Sequence, residues 1–176
     1  SMGALLVIIT GGIDLSPGSI VAVSGVVAAM FASNPDIPVV ISIAAGLLTG
    51  AACGLFNGVI IAKGKIPPFI VTLGMMSIGK GLAYVLSDGK PISGLSSSFE
   101  FIGRKSIFGI PVPILIMAII VIFTWILMNK RIFGKHVYAI GGNETAARVS
   151  GIHVDRIKML VYTFAGTMAG LGGTVL

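Results

Sequence analysis

Residues 38–62 read PVVISIAAGLLTGAACGLFNGVIIA. No charge interrupts the run, and it exceeds the roughly 20 apolar residues that carry a helix across a bilayer. Within it Gly46, Gly50, Gly54 and Gly58 recur every fourth position, and Ala62 extends the series by one turn. On a helix such residues form one stripe, where a neighbouring backbone can approach with no side chain between. The stripe therefore demands a bundle of several helices, though it does not say what the bundle carries. Gly166 and Gly170, flanked by Ala165 and Ala169, repeat the device near the end of the chain.

Outward from this run, further apolar segments cover residues 2–13, 17–32, 67–86, 110–129 and 157–176. Four of the six, counting 38–62, are long enough to span a membrane at 1.5 Å of rise per residue. Hydrophobic residues make up 55% of the 176-residue chain, charged residues 10%, and mean hydropathy is +1.04. A soluble domain carries about 25% charged residues, so this chain cannot give itself a polar skin. The expectation is an all-α polytopic transmembrane helix bundle forming a single membrane-spanning domain over residues 1–176, with the lipid bilayer as its solvent. Both ends fall inside apolar segments, so the chain reads as a fragment of a longer one. No signal peptide is visible, because the opening residues lack a basic region. Cys53 stands alone in an apolar run, which rules out an internal disulfide and fits a small buried hydrophobe.

The first two apolar segments are short and meet at residues 11–19, GGIDLSPGS. Four glycines or prolines, one carboxylate and two hydroxyls within nine residues cannot stay helical throughout. Non-helical backbone at membrane depth survives only where protein or a polar cavity covers it. Ser16 before Pro17 reads as an N-cap with proline at the first helical position. Asp14 admits two readings: an intramembrane carboxylate on a transport pathway, or a charge stabilised near a helix N-terminus. Lys80, between Gly79 and Gly81, reads as a side chain that snorkels to an interface.

Net charge is +6, and the basic residues lie between apolar segments, which marks membrane orientation rather than nucleic-acid binding. Between residues 129 and 157 stand Lys130, Arg131, Lys135, Arg148 and Arg156, with Lys158 just beyond, against Glu144 and Asp155. Positive-inside reasoning makes this loop cytoplasmic. Counting back, residues 87–109 fall outside, Lys63 and Lys65 inside, and residues 34–36 outside. Within the basic loop Asn143 is a ready N-cap and Glu144 a first-turn acid. Ala146, Ala147 and Arg148 favour helix, and Gly151 ends it. A short helix near residues 143–150 follows. It either offers Ala146 and Ala147 as a small-residue seat for another protein or lies at the interface with no partner.

No constellation for catalysis is present. His136 and His153 have no cysteine nearby and no metal-ligand spacing, so neither a metal nor a cofactor is expected. No nucleophile-elbow or phosphate-loop run occurs; if the protein couples to ATP, the nucleotide site is on another chain.

Three runs together carry a resemblance: TGGIDLSPGS at residues 10–19, GVIIAKGKIPPFIVTLGMM at 58–76 and YAIGGNETAARVSGI at 138–152. In that order and spacing they resemble the permease subunit of ribose-type ABC importers, and the similarity extends over essentially the whole chain. Pro17 departs from the family, which usually carries a small apolar residue there, and the family's chain is nearly twice as long, which implies that the domain here is incomplete, with later spans missing. The resemblance implies a homodimeric, multi-pass permease of the bacterial inner membrane that is not itself an enzyme. An ABC ATPase subunit would bind it inside and a sugar-binding protein outside, and it would admit a monosaccharide such as ribose. It also implies a coupling helix to the ATPase at Asn143, Glu144, Ala146, Ala147, Arg148 and Gly151. The pathway is expected at Asp14, Ser16, Ser19, Asn57 and Thr72. A secondary transporter for a small polar solute is the alternative, since broken helices are typical there too. It needs coupling charges at membrane depth, and apart from Asp14 few exist.

Overall fold

A computed structural model describes residues 2–34, 36–92, 94, 99, 106, 107 and 109–175. The helices are α1 (Met2–Ile9), α2 (Pro17–Ala32), α3 (Val39–Gly64), α4 (Pro68–Leu86), α5 (Val112–Lys130), α6 (Ile132–Gly142), α7 (Glu144–Val149) and α8 (Val154–Val175). A two-residue antiparallel pair, β1 (Ser106–Ile107) with β2 (Ile110–Pro111), precedes α5. Much of the 87–109 connection, with Glu100, Arg104 and Lys105, lies outside the described residues.

Proline and glycine set most helix boundaries. Proline opens α2 and α4, where the missing amide hydrogen would have no intrahelical acceptor. At the end of α3, Lys65 turns left-handed with φ 51°, and the Pro67–Pro68 pair then prevents the helix from continuing. Among the described residues α3, α4 and α5 are long and apolar enough to cross a membrane. The sequence expectation was four spans. The fourth, α8, begins at Val154 rather than 157 and draws Asp155, Arg156 and Lys158 into its first turns. That leaves residues 159–175 uncharged, about 25 Å of helix.

The centre of the bundle is α3 against α8. A Cβ placed on Gly50 would strike the Gly166 carbonyl and lie 2.7 Å from the Gly170 Cα, and one on Gly54 would strike the Tyr162 carbonyl. At Gly58 it would meet Met159 Cα at 2.9 Å. Gly46 completes the face at the corner where Thr174 of α8 and Ala28 of α2 converge. The other helices join by the same means. A Cβ on Gly3 of α1 would lie 2.5 Å from the Ala165 Cα, and one on Gly25 of α2 would lie 2.8 Å from the Gly173 carbonyl oxygen. In lipid no hydrophobic drive separates helix from solvent, so backbone proximity and dispersion hold such contacts. The outer faces are apolar accordingly: Val40, Leu48, Val85 and Ile119 are all exposed. Helix α5 sits at the edge, stacking Phe123 on Phe164 of α8 at 6.4 Å between ring centroids. At its end Lys130 lies 5.8 Å over the Trp125 ring, a pairing suited to a membrane interface. Lys80 is exposed on α4.

Candidate functional site

The chain breaks between α1 and α2 sooner than the sequence suggests. Helix α1 stops at Ile9, where Gly11 takes φ +76°, and the backbone stays non-helical to Ser16. Ser16 occupies the cap position without capping: its φ and ψ are helical and its side chain bonds no helix amide. Asp14 holds Ser16 itself and no amide of the first helical turn. Its Oδ1 accepts the Ser16 amide at 2.9 Å and the Ser16 hydroxyl at 2.6 Å, closing an Asx turn.

Two other helices reach into the break. From α3, Asn57 Nδ2 donates to Ser16 Oγ at 3.1 Å. From α4, the Thr72 hydroxyl lies 3.2 Å from the Ile13 carbonyl and 2.9 Å from Pro68 O in its own helix. Ser19 Oγ donates to Ser16 O at 2.8 Å, with the Met75 carbonyl of α4 further off at 3.4 Å. The five polar residues singled out in the sequence therefore converge on one place. Ser16, Ser19, Asn57 and Thr72 are each at most 1% exposed, and the bonds they make are to the broken backbone and to one another. Asp14 alone is half-buried. Sequence reasoning missed Tyr162. Its buried hydroxyl sits so close to Gly12 that a Cβ there would lie 2.5 Å away. The Tyr162 hydroxyl and Asn57 Oδ1 are buried polar atoms without a hydrogen-bond partner among the described residues. The only signal for Tyr162 was a phenol in an otherwise apolar and small-residue helix.

The break is not central in the bundle. Asn57 is seven residues from the end of α3 at Gly64, about 10 Å. Thr72 is one turn into α4. The polar cluster thus lies toward the end marked by Lys63 and Lys65.

At that same end stands α7. Asn143 Oδ1 accepts the Ala146 amide at 2.9 Å, capping the helix. Gly151, with φ +85°, ends it in a Schellman motif: Ile152 N–H donates to Ala147 O and Gly151 N–H to Arg148 O, both at 3.1 Å. The expected pair of small outward residues is divided. Ala146 is exposed, but Ala147 is 4% exposed, packed in the cluster with Val137, Val154 and Ile157. One helical turn cannot point adjacent residues the same way, and α6 and α8 together supply the cluster that buries Ala147. The outward apolar residue is instead Val149, 85% exposed. Sequence reasoning passed over it, although a β-branched apolar residue closing a short polar helix was the available sign.

Four charges tie α7 to α8. Glu144 Oε2 accepts from Lys158 Nζ at 2.7 Å, and Asp155 Oδ1 accepts from Arg148 Nη2 at 2.8 Å; Arg148 also lies 3.5 Å from Glu144. The Lys158 hydrogen bond, then Arg148, holds the Glu144 carboxyl below its usual range, and Arg148 does the same for Asp155. Between this cluster and the α3–α4 turn lies a pocket of about 480 Å³, walled by Lys65, Pro67 and Pro68 on one side and by Glu144, Arg148 and Asp155 on the other.

A bundle of membrane-length helices with a pinned helix break and a charged helix beyond one end defines a polytopic α-helical membrane protein. The chain belongs to the family described as branched-chain amino acid transport system / permease component, whose model matches residues 1–176. It is 45% identical to the ribose import permease protein RbsC of Bacillus subtilis (strain 168), over 100% of this chain and 55% of that protein. It is 40% identical to RbsC of Escherichia coli (strain K12), over 99% and 56%. The D-allose transport system permease protein AlsC of Escherichia coli (strain K12) is 37% identical, over 99% and 53%. The chain thus spans about half the length of the curated relatives it matches. No solved structure matches it.

Proposed function

We propose that this chain forms part of the framework of the transmembrane pathway in an ATP-driven importer of a ribose-like monosaccharide, in a bacterial cell membrane. An ATP-binding cassette subunit acts from the cytoplasmic side, a sugar-binding protein delivers the sugar from outside, and a second permease copy completes the pathway. The observation that carries this reading is identity of 37–45% to ribose and allose permeases along the entire chain. Asp14, the half-open member of the break, is the pathway contact. Ser16, Ser19, Asn57 and Thr72 keep the backbone beside it unwound. Helix α7 is the element the ATPase grips, through Thr145, Ala146 and Val149 on its outward side, with Asn143 and Gly151 fixing its ends.

Substitution of the outward face in the complete transporter tests this assignment. Val149→Asp and Ala146→Trp each leave the packed side of α7 untouched. Both should abolish ribose uptake and permease stimulation of the ATPase while the permease still reaches the membrane in normal amount. Normal uptake by both variants would remove α7 from the coupling path.

A further inference from the structure

The links that α7 makes to its neighbours are unequal. Toward α6 the covalent join is a single extended residue, Asn143, with φ −160° and ψ 105°. Ala147 shares an apolar cluster with Val137 and Ile140 of that helix, but no ion pair crosses to it among the described residues. Toward α8 the covalent join passes through left-handed Gly151, and two crossed ion pairs bridge the same gap: Lys158 to Glu144 at 2.7 Å and Arg148 to Asp155 at 2.8 Å. Among the described residues every ion pair of α7 that leaves the helix goes to α8. Helix α8 in turn lies backbone to backbone on α3, at Gly50, Gly54 and Gly58. Tyr162 projects from that same helix to Gly12 in the break.

We propose that Asp155 and Lys158 are positioning residues that clamp α7 to the start of α8, so that displacement of α7 enters the bundle through the α8–α3 pair and reaches the break. The proposal rests on α7 being the element the ATPase moves. Two bonds on opposite corners of a short helix fix its tilt as well as its distance, which a single pair cannot do. Glu144 and Asp155 sit at the N-terminal turns of their helices and Arg148 in the last turn of α7, so each charge also suits the backbone dipole beside it. Exposed pairs contribute little to global stability. Their consequence here is geometric. The pairs set where α7 stands relative to α8, while Ala147 and Ile152 beneath them supply the adhesion.

The test is charge reversal and exchange in the complete transporter, with ribose uptake, ATP hydrolysed per sugar moved, and ATPase retained on the purified permease all measured. Asp155→Arg and Arg148→Asp singly should lower uptake by about fivefold to tenfold, since each replaces an attraction by a repulsion of similar size. ATP spent per sugar should rise, and the ATPase should remain bound. The exchanged double variant Arg148→Asp/Asp155→Arg should recover most of both values. Single variants with unaltered uptake, or a double variant no better than the worse single, would overturn the clamp. Loss of the ATPase from the singles would also overturn it, because the charges would then be partner contacts, while leaving α7 as the docking element. Failure of the docking reading itself shows elsewhere, as normal uptake in Val149→Asp.

Discussion

Gly12 has no room for even one methyl group, because a Cβ there would lie 2.5 Å from the Tyr162 hydroxyl and 2.9 Å from Val7 Cγ1. The break is therefore a packed object, fixed by contacts to α1 and α8 as well as by its own turn chemistry. Gly12→Ala should displace Tyr162 and lower the melting temperature of the detergent-solubilised permease, whereas Gly18→Ala, where a Cβ meets nothing within 4 Å, should not. An unchanged melting temperature for Gly12→Ala would mean the Tyr162 ring is elsewhere. The Asn57 amide is the sole side chain of α3 bonded to Ser16. Replacing it with leucine removes the bond while Ser16 keeps the one it donates to Asp14, at a cost of about 0.5–1.5 kcal/mol. Asn57→Leu should thus unfold earlier, and a variant as stable as the parent would show that the bond does not hold the break. The charges on α7 respond to pH with a definite sign. Glu144 and Asp155 are held below their usual range, so the pairs persist above the ordinary carboxylate pKa of about 4 and are lost only as pH falls through the lowered values. A spin label at Ser150 should show the same mobility from pH 8 down to about 5 and loosen only in stronger acid. High mobility already at pH 8, unchanged by acid, would mean the carboxylates are not paired.

At the scale of the element, the α3–α8 contact is built from backbone, and backbone cannot move aside as a side chain can. Gly50→Leu or Gly54→Leu should separate the two helices and reduce the folded yield sharply. Gly74→Leu on α4, where a Cβ meets nothing within 4 Å, is the matched control. Equal yields for all three would place the contact elsewhere. Which features the sequence disclosed follows from how local their causes are. The bundle, the break at residues 11–19 and the short helix near 143–150 each rest on residues adjacent in the chain: apolar runs, a Gly-Pro cluster, a cap and a stop. Helix α6 was hidden because Gly134, Lys135 and His136 interrupt its apolar pattern, and burial of Gly134, Val137 and Ile140 on one face overrides that interruption. The direction of Ala147 was equally hidden, since it depends on where α8 lies. Asp14 and Ser16 show the same limit: the turn chemistry was readable, but the Asn57 amide that reaches Ser16 comes from 41 residues away.

For the molecule as a whole, orientation is the property on which the transport reading depends, and two independent lines bear on it. Charge counting puts Lys63, Lys65 and the 130–156 stretch on the cytoplasmic side. Geometry places the same two regions together, because Lys65 and Pro67 face Glu144 and Arg148 across one pocket. Helix α3 is 26 residues long, so Asp36, just before it, lies about 39 Å from that pocket along the helix axis. The relative placement thus comes from the fold and the absolute side from the charges, and cysteine labelling separates the two. In a Cys53→Ala background, Lys63→Cys and Ser150→Cys should resist a membrane-impermeant reagent applied to intact cells, while Asp36→Cys should react. After the membrane is opened, all three should react. If Lys63→Cys and Ser150→Cys were both labelled from outside and Asp36→Cys protected, the bundle would stand but be inverted, and α7 could not meet a cytoplasmic ATPase. If Lys63→Cys and Ser150→Cys gave opposite results, the two regions would lie on opposite sides, and the pocket joining them, with the clamp beside it, would be wrong.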